Sequence, residues 1–175
     1  VDNKFKNFFF SGISFDSKKV KKDNIFFAIK GSNIDGNNFI TSAIKKGSKI
    51  IITEKKNKKF DGRILYLQTK NIRKLLAKVS FKVFRKKPKN LIAVTGTNGK
   101  SSIADFYYQI LRLNNKKVAS IGTLGVKSNF INLNLSNTTT DPIKLGQILE
   151  QLYTKKINNV IMEASSHGLK QNRLD

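Results

Sequence analysis

Leu91-Ile92-Ala93-Val94-Thr95 is an uninterrupted apolar run that passes directly into Gly96-Thr97-Asn98-Gly99-Lys100-Ser101-Ser102. A run of this kind reads as a strand buried on both faces of a parallel sheet. Beyond the glycines, Ile103, Phe106, Tyr107, Ile110 and Leu111 recur at the spacing of one helical face. Strand, glycine turn and amphipathic helix, in that order, commit the segment to an α/β sheet. The turn also carries chemistry. Glycines let the backbone curl so that successive N–H groups meet one anion, and the helix N-terminus adds positive potential. Lys100 is placed to reach terminal phosphates and the Ser101 hydroxyl to ligate Mg²⁺. The full Walker pattern has a further glycine where Val94 stands, so this is a shortened Gly-x-x-Gly-Lys-Ser form. Gly96, Thr97, Asn98, Gly99, Lys100, Ser101 and Ser102 are the expected phosphate-binding residues.

The same alternation extends in both directions. Upstream, residues 25–29, 50–53 and 64–67 are short apolar strands, and Gly47 ends a helix carrying Phe39, Ala43 and Ile44. Ile72, Leu75, Leu76, Val79 and Val83 trace another helical face. Residues 85–90 contain no apolar side chain except that of Pro88, which makes them the expected linker between a first unit, 1–84, and a second, 91–175. Downstream, residues 118–121 and 160–162 are strands, residues 122–136 a loop or hairpin, and Pro142 opens a helix. Strands and helices alternating at these lengths predict open, mostly parallel α/β sheets.

Charge narrows the partners. The chain has 175 residues, with 34 Lys+Arg against 11 Asp+Glu, a formal net charge of +23. Such a balance suggests nucleic acid, but only five of the basic residues are arginine, the side chain whose fork reads phosphates and bases. The excess is also uneven, 24 basic to 6 acidic over residues 1–90 and 10 to 5 over 91–175. A solvated lysine surface that favours anionic ligands is the expectation, with no specific nucleic-acid partner. No cysteine is present, so there is no disulfide framework, and no apolar run approaches the ~20 residues that span a bilayer. A soluble, cytoplasmic monomer without a membrane partner is expected.

The glycine loop resembles the Thr-Gly-Thr-Asn-Gly-Lys-Thr-Thr loop of the Mur ligases, ATP-dependent enzymes that build the peptide of peptidoglycan precursors. Three further segments are similar to the branch of that family that adds the third residue. They are Asn137-Thr138-Thr139-Thr140-Asp141-Pro142, the stretch from Met162-Glu163-Ala164-Ser165-Ser166-His167-Gly168-Leu169 through Gln171 and Arg173, and an N-terminal pattern. That pattern comprises Asp16-Ser17-Lys18, Phe26-Phe27-Ala28, Gly31, Asp35-Gly36 and Gly47, with Lys18 where the family has arginine.

The resemblance implies a uridine-binding α/β domain followed by the first part of a P-loop ATPase domain. It implies ligation of a diamino acid, meso-diaminopimelate or lysine, to UDP-MurNAc-L-Ala-D-Glu through an acyl phosphate, with ATP and Mg²⁺ as cofactors. Lys100 would neutralise the transferring phosphoryl group, and Ser101 and Glu163 would hold the metal. Phe15, Ser17, Ser32, Asn33 and Ile34 would contact the UDP moiety, although Ser32-Asn33-Ile34 departs from the family's variants. Asn137, Thr138, Thr139, Ser165, Gln171 and Arg173 would contact substrate, and His167 carries no assigned chemistry. Family members are far longer. The resemblance therefore implies an N-terminal portion, inactive alone, with the carbamylated lysine, most of the adenine pocket and the specificity domain lying past Asp175. The alternatives are the Mur-type ligase that adds D-Ala-D-Ala, which lacks the Ser-Ser-His-Gly-Leu segment, and a basic nucleic-acid-binding P-loop protein.

Overall fold

The structure, a computed structural model, describes residues 9–56, 60–61 and 63–175. They divide into two compact units, a first that ends at Leu76 and a second, Ala77–Asp175.

The first unit is a five-stranded sheet ordered β1-β2-β3-β5-β4. Its strands are β1 (Gly12–Ser14), β2 (Asn24–Phe27), β3 (Ile50–Thr53), β4 (Phe60–Asp61) and β5 (Ile64–Gln68). All pairs are parallel except β4 on β5. In β2 the adjacent Phe26 and Phe27 point to opposite faces and both are fully buried, so the sheet is covered on both sides there. Ile50, Ile51 and Ile52 of β3 are buried likewise, as expected for a central parallel strand. Helix α1 (Ile40–Lys45) buries Ala43, and the chain leaves it through Gly47 at φ +97°, a conformation that favours glycine. Helix α2 (Ile72–Val83) follows β5; its first backbone N–H at Ile72 donates to the Glu54 carboxylate at 3.0 Å.

The second sheet is ordered β6-β10-β7-β8-β9. It comprises β6 (Asn90–Val94), β7 (Val118–Gly122), β8 (Gly125–Ser128), β9 (Asn132–Leu133) and β10 (Asn159–Glu163). β6, β10 and β7 are parallel, and β7-β8-β9 is an antiparallel meander, so residues 122–136 form the hairpin alternative. Helices α3 (Lys100–Leu113), α4 (Pro142–Thr154) and α5 (Ser166–Lys170) belong to this unit, together with the C-terminal half of α2. Helix α4 starts cleanly because Pro142 occupies the first turn and the Asp141 carboxylate accepts from the Lys144 N–H at 2.9 Å. Leu145, Ile148, Leu149 and Leu152 then pack with Ala119, Ile121, Val126 and Val160. The division between the units falls inside α2. Phe81, on its C-terminal half, joins this second core, and Phe84 presses on α4 so closely that a Cβ on Gly146 would lie 2.6 Å from its ring.

Two expectations differ within these residues. Among the described residues β6 pairs only with β10, and Leu91 and Ile92 are about 40% exposed, so this stretch of chain does not itself cover both faces of the strand. Helix α3 buries Ala104 and Tyr108 rather than Ile103, Phe106 and Ile110, which are more than half exposed. The sheet side takes the small Ala104 one turn before Tyr108, and the larger apolar stripe turns away.

Candidate active site

Parallel pairing brings three strand ends to one edge of the second sheet. Glu163 of β10 is in register with Val94 of β6, and Met162 with Ile121 of β7. The loops after β6 and β7 and the last residue of β10 therefore meet where open α/β sheets place ligands.

The loop after β6, residues 95–99, is exposed throughout. Gly96 has φ +149°, and Gly99, with φ +79°, is the N-cap of α3. The first N–H groups of α3 have no intrahelical acceptor and face that loop with the helix's positive end. Lys100 folds back over it, its ammonium donating to the carbonyls of Gly96 at 2.6 Å and Thr97 at 3.1 Å. The cation is thereby held at the loop it would serve. One turn on, Asp105 is kept below the usual carboxylate range by Lys127 at 2.9 Å and by Gln109.

Glu163 is 4% exposed, and both of its carboxylate oxygens have hydrogen-bond partners. Oε2 accepts from Ser101 Oγ at 2.9 Å and from Thr123 Oγ1 at 3.1 Å, and Oε1 accepts from the Thr123 backbone N–H at 3.0 Å. Ser101 and Glu163 thus offer two adjacent hard oxygens beside the phosphate loop. Among the described residues no group of three His, Cys, Asp or Glu side chains could hold a metal alone. Two protein oxygens suit Mg²⁺, which keeps waters and shares phosphate oxygens rather than sitting in an all-protein cage.

The 137–139 segment lies against the same edge. Thr138 Oγ1 is 3.1 Å from Thr123 Oγ1, and Asn137 is exposed with its amide on Ser136. The buried Thr139 hydroxyl donates to the Glu163 carbonyl at 2.9 Å and accepts from the Ser165 N–H at 2.8 Å. Ser165 caps α5, its Oγ accepting from Gly168 N–H at 3.1 Å. Arg173 donates to the Thr139 carbonyl and to Gln171 Oε1, and Gln171 Nε2 lies 2.8 Å from His167 Nε2. Thr139, Ser165, Gln171 and Arg173 therefore brace one another around the Glu163 main chain, and Ser102 is exposed on the first turn of α3.

In the first unit the expected residues follow the C-terminal ends of β1 and β2, which are neighbours in the sheet. Phe15 is 38% exposed and Ser17 is buried at the start of a 3-10 turn capped by Asp16. Ser32, Asn33 and Ile34 form the exposed tip of a turn closed by Gly31 N–H on the Ile34 carbonyl at 2.8 Å. Asp35 anchors that turn. Bonds from the Asn37 side chain and backbone, then from Lys55, hold its carboxyl down at about 2.

Sequence reasoning missed Gly122 and Thr123. A Cβ on Gly122 would sit 2.0 Å from Glu163 Oε1, so glycine is required for the carboxylate to lie where it does.

Two family models match in tandem: "Mur ligase family, catalytic domain" over residues 10–84 and "Mur ligase middle domain" over residues 94–175. The chain belongs to the Mur ligase family. Curated relatives named UDP-N-acetylmuramoyl-L-alanyl-D-glutamate--2,6-diaminopimelate ligase include those of Rickettsia prowazekii and Buchnera aphidicola subsp. Schizaphis graminum. The first is 44% identical over 174 residues, covering 97% of this chain and 36% of the relative. The second is 42% identical over 175 residues, covering 94% and 35%. A solved structure of a ligase of the same name superposes with a TM-score of 0.79 at 29% identity, over 94% of this chain and 34% of that one. A MurF ligase from Thermotoga maritima in complex with ADP shares the fold, with a TM-score of 0.59 at 23% identity over 88% and 32% of the two chains. This Mur ligase chain spans about a third of the length of the curated relatives it matches. No helix among its described residues is long and apolar enough to cross a membrane.

Proposed function

We propose that this chain forms the UDP-substrate and phosphate-binding parts of a cytoplasmic ATP-dependent ligase. That ligase adds a diamino acid, the 2,6-diaminopimelate of its relatives' names, to UDP-MurNAc-L-Ala-D-Glu. Residues 1–84 bind the UDP moiety through Phe15, Ser17 and the 32–34 turn, residues 85–90 link, and residues 91–175 bind ATP. The observation that carries the reading is the Ser101 hydroxyl on the Glu163 carboxylate at 2.9 Å, beside a glycine loop closed by Lys100. The arrangement ties the end of β10 to α3 and also gathers a cation and two hard oxygens at an exposed loop.

The reaction makes a carboxylate electrophilic by phosphorylation and then lets an amine displace phosphate. Its electrostatic demand is neutralisation of charge on a transferring phosphoryl group. Lys100 leaves the Gly96 and Thr97 carbonyls for the terminal phosphates, while the glycine loop and the first turn of α3 hold the remaining oxygens. Bound at Ser101 and Glu163, Mg²⁺ supplies Lewis-acid neutralisation of those phosphates. Asn137 and Thr138, on the exposed side of the same edge, orient the acceptor carboxylate, and Arg173 keeps the 137–139 segment in place through the Thr139 carbonyl.

Calorimetric titration of the chain with UDP-MurNAc-L-Ala-D-Glu, and separately with ADP and Mg²⁺, tests the assignment. Both should bind, the first unaffected by Lys100→Ala and the second weakened by it. Binding of neither, or submicromolar binding of a DNA duplex at near-physiological salt, would overturn it.

A further inference from the structure

Glu163 has an obvious reason to be a carboxylate but no reason of its own to point one way. It ends β10 with a flexible side chain, and a buried carboxylate with one partner, Ser101, would be free to swing from it. Its orientation comes from the turn after β7. The Thr123 backbone N–H fixes Oε1 at 3.0 Å while the Thr123 hydroxyl fixes Oε2 at 3.1 Å, a two-point clamp that sets the plane of the carboxylate. Gly122 allows the approach by having no Cβ, and the Thr123 hydroxyl is itself placed by Thr138 Oγ1 at 3.1 Å.

We propose that Thr123 is a positioning residue, whose hydroxyl holds the Glu163 carboxylate in the orientation that, with Ser101, receives a divalent cation on a bound polyphosphate. The inference rests on the phosphate-and-metal reading of this site. It goes beyond that reading in assigning a role to the β7–β8 turn and in linking the metal carboxylate to the 137–139 segment through one hydroxyl pair. Ligand-orienting partners of this kind typically change metal affinity about 10–100-fold when lost.

The test uses the 175-residue chain and inorganic tripolyphosphate, which needs no base pocket. Its affinity is measured with and without Mn²⁺, and bound Mn²⁺ is followed by electron paramagnetic resonance. The parent chain should bind more tightly with the metal. Thr123→Val should lose about tenfold of that metal-dependent gain and keep the metal-free affinity, which also shows that it is folded. Thr123→Ser should recover most of the loss, a rescue that a purely packing role does not predict. Thr123→Ala carries the same expectation and replaces the valine variant if that one fails to fold. A Val or Ala variant with the parent's full metal-dependent gain overturns the positioning role alone. A parent chain that gains nothing from Mn²⁺ overturns the metal reading beneath it.

Discussion

Gly122→Ala puts the clearest demand on this site. The added Cβ would lie 2.0 Å from Glu163 Oε1, 2.5 Å from Cδ and 2.6 Å from Cγ. An ordinary carbon contact is about 3.5 Å, so the overlap is on the order of 1 Å at three atoms of one side chain. Turning the carboxylate alone cannot relieve contacts that reach back to Cγ. The side chain must leave, and with it go the bonds from Ser101 Oγ, Thr123 Oγ1 and the Thr123 N–H. Bonds to a charged group contribute about 1.5–3 kcal/mol each; the freed carboxylate regains water at the strand end, so the net loss should be about 3 kcal/mol. For a unit of this size that corresponds to a fall in Tm of about 12–24 °C. Three of the four tyrosines, Tyr107, Tyr108 and Tyr153, lie in the second unit, so near-UV circular dichroism follows its unfolding. Gly99→Ala is the control: its φ of +79° makes an alanine strained by about 1–2 kcal/mol, but no atom lies within 4 Å of the new Cβ. A Tm loss for Gly122→Ala no larger than that of Gly99→Ala refutes the reasoning.

Lys100→Ala removes the cation now resting on the Gly96 and Thr97 carbonyls, and tripolyphosphate affinity should fall by about tenfold or more. Lys100→Arg should restore little of it, since the fork is wider than an ammonium in a tight turn. Asp35 has a folded pKa of about 2, below its unfolded value, so its contribution to stability is present above about pH 4 and is lost as pH falls toward 2. Urea midpoints between pH 5 and 2 should fall less steeply in Asp35→Asn, with a residual slope from Asp23 and Asp105, which are also lowered. Asp141→Ala should cost about 1 kcal/mol by uncapping α4, and Asp141→Asn much less, in equilibrium unfolding of the second unit.

The strand–helix alternation was legible because β-branched and aromatic runs such as Ile50-Ile51-Ile52 and Phe26-Phe27 have few alternatives to a central parallel strand. Short edge elements were not: β1 and β4, of three and two residues, carry no periodicity long enough to register. Nor does periodicity say what lies on either side of an apolar element. Leu91 and Ile92 are about 40% exposed among the described residues, where β6 pairs only with β10. Ile103, Phe106 and Ile110 trace a face as regular as that of α4, while Ala104 and Tyr108 are the residues of α3 that these 175 residues bury. Spacing identifies a face and not its neighbour.

The site divided along the same line. Residues 96–102 form a local device, a turn and helix start within seven positions, and local sequence is enough to describe it. Glu163 is legible only as a carboxylate at a strand end, because its partner Ser101 is 62 positions away. Thr123 is hardest of all. In Gly122-Thr123-Leu124-Gly125 it reads as the tip of a hairpin, where threonine needs no explanation, and indeed Gly122 pairs with Gly125 across that turn. Its second function exists because β10 inserts between β6 and β7, a placement set by the crossover through α4. Two hydroxyls and one N–H, from the first turn of α3 and from the turn after β7, then converge on a single buried carboxylate. That convergence is a property of strand order, which neither residue type nor spacing encodes, and it is why the turn after β7 is the place to perturb.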